Sequence, residues 1–477
     1  MGEFFEDLIN YSSSDYYPFH MPGHKRNMKG YYLEDAYQID ITEIDGFDNL
    51  HHPDGIIFEL EKKISKLYHS EESHILVNGS TVGILSAISG CVSKGGKILM
   101  ARNSHKSAYN ALLLNECKSI FVYPEYVTDF GISGGIAPKQ IRELLEKHDD
   151  IQAVFLTSPT YEGIISPVKE IVEITHEKGI PVIVDEAHGS HFGVFKPLAK
   201  EYQMETALSY GADIVIHSIH KTLPAFTQSA LIHLQGKLIN KQKVKKYLSI
   251  YQSSSPSYLL MAGIDQCISI MEHSEELFEA YKRELEFFYQ KMKELNHLKI
   301  LCADCIGTFE ISGFDIGKII ISTRNTNWNG KQLYDCLNQK YHLQLEMSSG
   351  DYCLGIITIM DKPDGLKRLE RALREIDCQL QITSSNQNNW KIPEAESIFT
   401  IAEVEDREKE DREFNNCLFK TAGDYVYAYP PGIPIIAPGE SINKEIFQMV
   451  GAMRKMEIQL TGMEEGKLKV LKEDSFL

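Results

Sequence analysis

The chain predicts an α/β fold: a large domain on a mainly parallel sheet, a small α+β domain, and a C-terminal α+β domain. Three observations carry that prediction. Short, β-branched apolar runs recur from about residue 74. Helical stretches separate several of them. Polar side chains suited to chemistry follow the C-terminal ends of three runs, where open parallel sheets gather their ligands.

The runs come first. Ile75-Leu76-Val77, Ile98-Leu99-Met100, Ile120-Phe121-Val122, Ala153-Val154-Phe155-Leu156, Val182-Ile183-Val184, Ile214-Val215-Ile216 and Leu231-Ile232 are apolar on both faces. That is the pattern of strands covered by helices on each side. Ile141 to Lys147 and Val168 to Lys178 supply crossover helices. Residues 264–296 read as one long helix rich in Glu, Leu and Lys. Residues 298–380 read as the small domain, with strands near Lys318-Ile319-Ile320-Ile321 and Gly355-Ile356-Ile357-Thr358-Ile359. Polar residues 381–390 read as a linker, and 403–413 as a solvated, charged helix face. The expected division is an irregular N-terminal segment over 1–60, the large domain over 61–297, the small domain over 298–380 and the C-terminal domain over 391–477.

A chain of 477 residues is too long for one core. It holds no stretch of about 18 apolar residues, so no membrane span is expected. The acidic start, Met1-Gly2-Glu3-Phe4-Phe5-Glu6-Asp7, lacks the basic-then-apolar order of a signal peptide, so the expected location is cytoplasmic. A net charge of −18 argues against nucleic acid, whose phosphates need a basic face. It favours cationic small molecules, and it also serves solubility. The nine cysteines are expected to be reduced. Cys302-Ala303-Asp304-Cys305 lacks the second pair of a zinc knuckle and reads as two incidental thiols, so no metal is expected.

Three motifs follow strands. Asn78-Gly79-Ser80-Thr81-Val82-Gly83 precedes a helix over Ile84 to Cys91. Gly79 lets backbone approach a ligand, and Ser80 and Thr81 offer donors to a phosphate or an ordinary cap. Asp185, in Val184-Asp185-Glu186-Ala187-His188-Gly189, ends a strong strand. A carboxylate there can keep a pyridine nitrogen protonated or simply cap a turn. Metal ligation by Asp185, His188 and His191 is a rival, but the stretch offers few further ligands. Lys221 closes Ser218-Ile219-His220-Lys221, one strand later. The order of phosphate loop, ring-nitrogen carboxylate and lysine is the one that fold-type-I pyridoxal phosphate enzymes require. Two other His-Lys pairs fit it less well: His24-Lys25 precedes the sheet, and His105-Lys106 follows the second run.

Taken with Pro18-Phe19-His20-Met21-Pro22-Gly23-His24-Lys25, Asn103-Ser104-His105-Lys106-Ser107 and Tyr429 to Glu440, these motifs resemble the ornithine/lysine/arginine decarboxylases of fold type I. The resemblance spans nearly the whole chain, in the family's order. It implies pyridoxal 5'-phosphate and a homodimer or larger homo-oligomer with active sites near the interface. It implies that Lys221 is the Schiff-base lysine, that Asp185 partners the pyridine nitrogen and that His105 stacks on the ring. Gly79, Ser80, Thr81, Ser218 and His220 match phosphate-side positions, and His188 a position near the phenolic oxygen. The motifs begin at Pro18, so the N-terminal wing domain of the larger members is not expected.

The implied reaction is decarboxylation of arginine, lysine or ornithine to agmatine, cadaverine or putrescine, in polyamine biosynthesis. Lys221 or His105 would return a proton to the α-carbon. The distal cation needs an anionic spot, for which Glu346, Asp351, Asp424 and Glu440 are candidates. One alternative is an aminotransferase or oxidase using the same cofactor, with Arg368, Arg371 or Arg374 gripping the α-carboxylate. Another is a cofactor-binding homologue without turnover. The sequence leaves open the preferred amino acid, effectors and assembly beyond a dimer.

Overall fold

The computed structural model describes residues 15–19, 48–383, 391–428, 432–455, 458 and 460–472. The His20 to Lys25 part of the first motif, residues 384–390 of the expected linker, and Tyr429 to Pro431 lie outside the described residues.

All seven apolar runs are strands of one sheet. They are β1 (Glu72–Leu76), β2 (Lys97–Ala101), β3 (Lys118–Val122), β4 (Ile151–Thr157), β5 (Val182–Asp185), β6 (Ile214–His217) and β7 (Ala230–Leu234). The spatial order is β1-β7-β6-β5-β4-β2-β3. β7 runs antiparallel to both neighbours, and the other pairings are parallel. Residues of β4, β5 and β6 are buried on both faces, because helices cover the sheet from each side.

Helix α1 (Ile56–Tyr68) leads into β1; α2 (Gly79–Cys91) and α3 (Lys106–Leu114) follow β1 and β2. α2 begins five residues before the predicted Ile84 start, and its first turn therefore includes Gly79, Ser80 and Thr81. A Cβ on Gly90 would lie 2.5 Å from Val244 Cγ2, so glycine lets helix Lys241–Tyr251 pack tightly on α2.

The long helix expected over 264–296 is two helices, Tyr258–Met271 and Glu275–Met292, interrupted at Glu272 to Ser274. Ser274 precedes two glutamates, a composition that starts a helix as readily as it continues one. The small domain carries an antiparallel sheet of β8 (Lys299–Ile300), β9 (Lys318–Ser322), β10 (Met347–Ser349) and β11 (Tyr352–Ile356), ordered β8-β9-β11-β10. The charged run 403–413 is not one helix face. It is the end of helix Ile401–Glu405 followed by strand β12 (Lys409–Glu413), which pairs with β13 (Lys467–Leu471). Asp411 opposes Lys469 and Glu413 opposes Lys467, so charge alternation here serves cross-strand pairing. The C-terminal domain has its own core around Phe414, Val426, Ile446 and Val470. Among the described residues, no helix is long and apolar enough to cross a membrane.

Candidate active site at the strand ends

The C-terminal ends of β1, β2, β4, β5 and β6 open onto a cavity of about 310 Å³. It gathers all nine predicted cofactor-side residues: Gly79, Ser80, Thr81, His105, Asp185, His188, Ser218, His220 and Lys221. They come from loops spread over more than 140 positions, brought together by one sheet edge.

Each loop places its side chain for a local reason. Gly79 has φ +78°, a left-handed conformation that L side chains rarely adopt, and it turns the chain sharply into α2. Asn78, the N-cap of α2, makes no side-chain cap bond; its carbonyl oxygen Oδ1 instead accepts from the Ser253 N–H. The first-turn amides of α2 are thus left for another acceptor, and Ser80 and Thr81 do not cap the helix at that position. His105 is itself the N-cap of α3, its Nδ1 accepting from the Ser107 N–H at 3.2 Å. Desolvation by the cavity walls, then the nearby Lys221 and Lys106, push the His105 pKa down to about 4, so the ring is neutral.

Asp185 is the last residue of β5 and is 3% exposed. Its carboxylate accepts from the Ala187 N–H at 3.1 Å. Burial raises its pKa, opposed by Lys221 and that amide. Lys221 lies in the short helix Ile219–Thr222 directly after β6. Its Nζ is 2.9 Å from His188 Nε2. Desolvation lowers its pKa, opposed by Asp185 and Glu346. Burial thus eases loss of the ammonium proton, and the neutral amine is the nucleophilic form.

His220 Nδ1 lies 2.9 Å from the Ser229 carbonyl. A carbonyl only accepts, so Nδ1 carries the proton and Nε2 of the neutral ring is an acceptor. Burial pushes the His220 pKa down to about 4. It can donate to a phosphate only after taking up a second proton, which a neighbouring anion would favour.

The distal-cation candidates separate. Glu346 does not line the cavity but lies behind a residue that does: it accepts from the Tyr161 hydroxyl at 2.5 Å, and the Tyr161 ring packs on His188 with centroids 4.5 Å apart. Asp351 does not line the cavity; its carbonyl accepts from the Thr323 N–H and hydroxyl. Asp424 accepts from the Tyr425 N–H outside the cavity. Glu440 is 1% exposed and is held by Arg102. None of Arg368, Arg371 and Arg374, considered for α-carboxylate binding, lines the cavity: Arg368 donates to the Asp15, Tyr341 and His342 carbonyls, and Arg374 pairs with Glu294 and Glu370. No group of three or more metal-ligating side chains is assembled among the described residues.

Sequence reasoning missed Asn103, Thr157, Tyr161 and Glu162, all of which line the cavity. Glu162 is 6% exposed and accepts from the Tyr352 hydroxyl at 2.8 Å. Their signal was present: Thr157 to Glu162 follows the fourth apolar run as Asp185 follows the fifth.

Residues 3–316 match the model of the Orn/Lys/Arg decarboxylase major domain, and residues 393–468 match that of its C-terminal domain. An arginine decarboxylase of Bacillus anthracis is 28% identical over 98% of this chain and 96% of its own length. An uncharacterised protein of Bacillus subtilis is 32% identical over 98% of this chain and 97% of its own length. The lysine decarboxylase structure from Francisella novicida superposes with a TM-score of 0.76 at 18% identity, covering 98% of this chain and 80% of that one.

Pyridoxal phosphate fits the cavity on structural grounds. The side-chain oxygens Ser218 Oγ, Thr157 Oγ1 and Asn103 Oδ1 are buried without a hydrogen-bond partner among the described residues, and all three residues line the same space. Buried polar atoms rarely stay unmatched, so three around one cavity, beside an uncapped helix start, call for a polar ligand. A buried carboxylate and a depressed lysine complete the set that a pyridine nitrogen and an aldehyde need. The chain therefore belongs to the ornithine/lysine/arginine decarboxylase family and is a pyridoxal phosphate-dependent amino-acid decarboxylase acting on basic amino acids.

Proposed function

We propose that the protein converts arginine to agmatine and CO2 in the cytoplasm as a homodimer, supplying polyamine synthesis, with lysine (to cadaverine) and ornithine (to putrescine) as poorer substrates. The observation that carries this reading is Glu162 in the cavity wall, with Glu346 bonded to the adjacent Tyr161. Two carboxylates suit a planar guanidinium, which is best met by paired oxygens, whereas an ammonium needs only one compact anion. The arginine decarboxylase name on a relative matched almost end to end supports the same choice.

In this reading Lys221 holds the cofactor aldehyde and Asp185 keeps the ring nitrogen protonated. His105 would stack on the ring, and His188 would stand near the phenolic oxygen. The α2 amides with Gly79, Ser80, Thr81, Ser218 and His220 take the phosphate. Bound there, pyridoxal phosphate supplies an electron sink for the pair left behind as CO2 departs. Lys221 or His105 would hold the proton returned to the α-carbon.

The test is CO2 release and amine identification with arginine, lysine and ornithine in parallel, with added pyridoxal phosphate. Agmatine formed with the highest kcat/KM is expected. If all three are inert while an α-keto acid or peroxide accumulates, the reading is wrong.

A further inference from the structure

Lys318 is the first residue of β9, is 0% exposed, and comes from the small domain. Its Nζ lies 3.0 Å from His188 Nδ1, while Lys221 Nζ lies 2.9 Å from His188 Nε2. One imidazole is thus held between two lysines. A second tie runs alongside: Asp315 Oδ1 is 3.3 Å from His191 Nε2 and accepts from the Gly317 N–H at 2.9 Å.

Donor counting restricts this arrangement. An ammonium only donates, and a neutral imidazole offers one donor and one acceptor. Two ammonium groups would need both ring nitrogens bare, which a neutral ring cannot provide. At least one lysine is therefore a neutral amine. The surroundings decide which. Lys318 has the buried carboxylate Asp315 near it, and that carboxylate is held well within its ionised range by His191, Lys318 and the Gly317 amide against the cost of burial. Lys221 faces Asp185 from β5, Glu346 from the small domain, His105 from α3, and His188 and His220. Burial outweighs its two carboxylates and lowers its pKa, while Lys318 has an ionised carboxylate beside it, so the neutral amine that the donor count requires is assigned to Lys221. His188 is kept from charging by burial first and then by the charge of Lys318.

We infer that Lys318 is a positioning residue: it donates to His188 Nδ1, fixes the tautomer with the proton on Nε2, and so presents Lys221 with a donor that only a neutral amine can accept. The inference rests on reading Lys221 as the reacting lysine. It makes the small domain part of the apparatus that keeps that amine ready. Without Lys318, His188 can move its proton to Nδ1, and its bare Nε2 then accepts from a Lys221 ammonium.

The test uses the protein without cofactor or substrate, so inactivity toward basic amino acids would sink the functional reading and leave this one standing. Nitrogen NMR of 15N-histidine protein, with the His188 signal identified by its loss in His188→Gln, reads the tautomer directly. Reductive methylation of Lys221 by formaldehyde and cyanoborohydride, followed by peptide mass spectrometry across pH, reads the neutral amine. The native protein should show the Nε2–H form, and Lys318→Met should shift His188 toward Nδ1–H. The same change should slow Lys221 methylation at neutral pH by about tenfold, equivalent to one pKa unit. A native Nδ1–H or doubly protonated ring overturns the inference, as does Lys318→Met leaving both tautomer and labelling unchanged. Should Lys318→Met fail to fold, the native tautomer alone decides.

Discussion

Two buried pairings of a basic side chain with a carboxylate sit at the same sheet edge and are built in opposite ways. Arg102 follows β2 and donates to the Tyr109 hydroxyl, the Pro434 and Ile435 carbonyls and Glu440 Oε2. Glu440 Oε2 also accepts from the Ala437 N–H, and among the described residues Arg102 Nε and Glu440 Oε1 are the pair's atoms left over. Lys221 and Asp185 share a cavity instead; among the described residues each has a single side-chain hydrogen bond, Lys221 with a neutral histidine and Asp185 from a backbone amide. The first pairing matches its charges locally and ties the C-terminal domain to the large domain. The second leaves charge and hydrogen-bonding capacity unspent, and it is the one a ligand can complete. Burial alone does not separate structural from chemical groups here; the degree of satisfaction does.

The most severe way to break the comparison is to remove the unspent lysine. Lys221→Ala should lower kcat by about 10⁴-fold or more, as loss of a covalent catalytic group does. The melting temperature should hardly move, since a poorly matched buried amine is lost. The check is turnover together with absorbance after cofactor addition: the yellow colour should disappear. A variant that keeps colour and activity would transfer the role to another lysine.

Next in size is the matched pair. Glu440→Gln leaves the Arg102 guanidinium buried without its anion and should cost about 3–5 kcal/mol of stability. Urea unfolding measures this, and activity per folded molecule at low temperature should persist. A cost near zero would mean that the carbonyls alone hold Arg102. Smaller again is Asp185→Asn. Losing the charge that supports a protonated ring nitrogen should lower kcat by roughly 10²–10³-fold, the scale of removing one preorganised electrostatic partner. Cofactor should still bind, and kcat measured at saturating substrate separates the two effects.

The same contrast explains what could be read from the chain. The seven strands were legible because each is a short apolar run punctuated by helix. Asp185 and Lys221 were legible because a charged residue ending such a run is conspicuous. Lys318 was not. It stands before Ile319-Ile320-Ile321 and looks like a solvated strand-end cation, and its complete burial follows from docking the small domain on His188. Glu162 follows an apolar run too, but it sits six residues past Leu156 and reaches the cavity through the turn at Pro159 and Thr160. Arg102–Glu440 spans 338 positions, a pairing that no local pattern encodes. Local periodicity gives elements and their ends; long-range packing decides which charges become matched.

A matched cluster at the opposite end of β1 gives the smallest effect and a test by pH. His74 Nδ1 lies 3.1 Å from Glu61 Oε2, and its Nε2 is 3.5 Å from Glu72 Oε2. Burial alone would lower its pKa, but the two carboxylates outweigh that and raise it to about 9. The unfolded value is near 6.5. A raised pKa means that the folded chain holds the proton more tightly. The stabilisation is fully present below pH 6.5 and is lost as pH rises through 9. Partial exposure and salt reduce it, so an amount on the order of 1–2 kcal/mol is expected. Urea unfolding of the cofactor-free protein at pH 6 and pH 9.5 should show that loss, and His74→Gln should remove most of the difference. Equal pH dependence in both proteins would mean that His74 is neutral and that Glu61 is matched by its other partner, the Ile75 N–H.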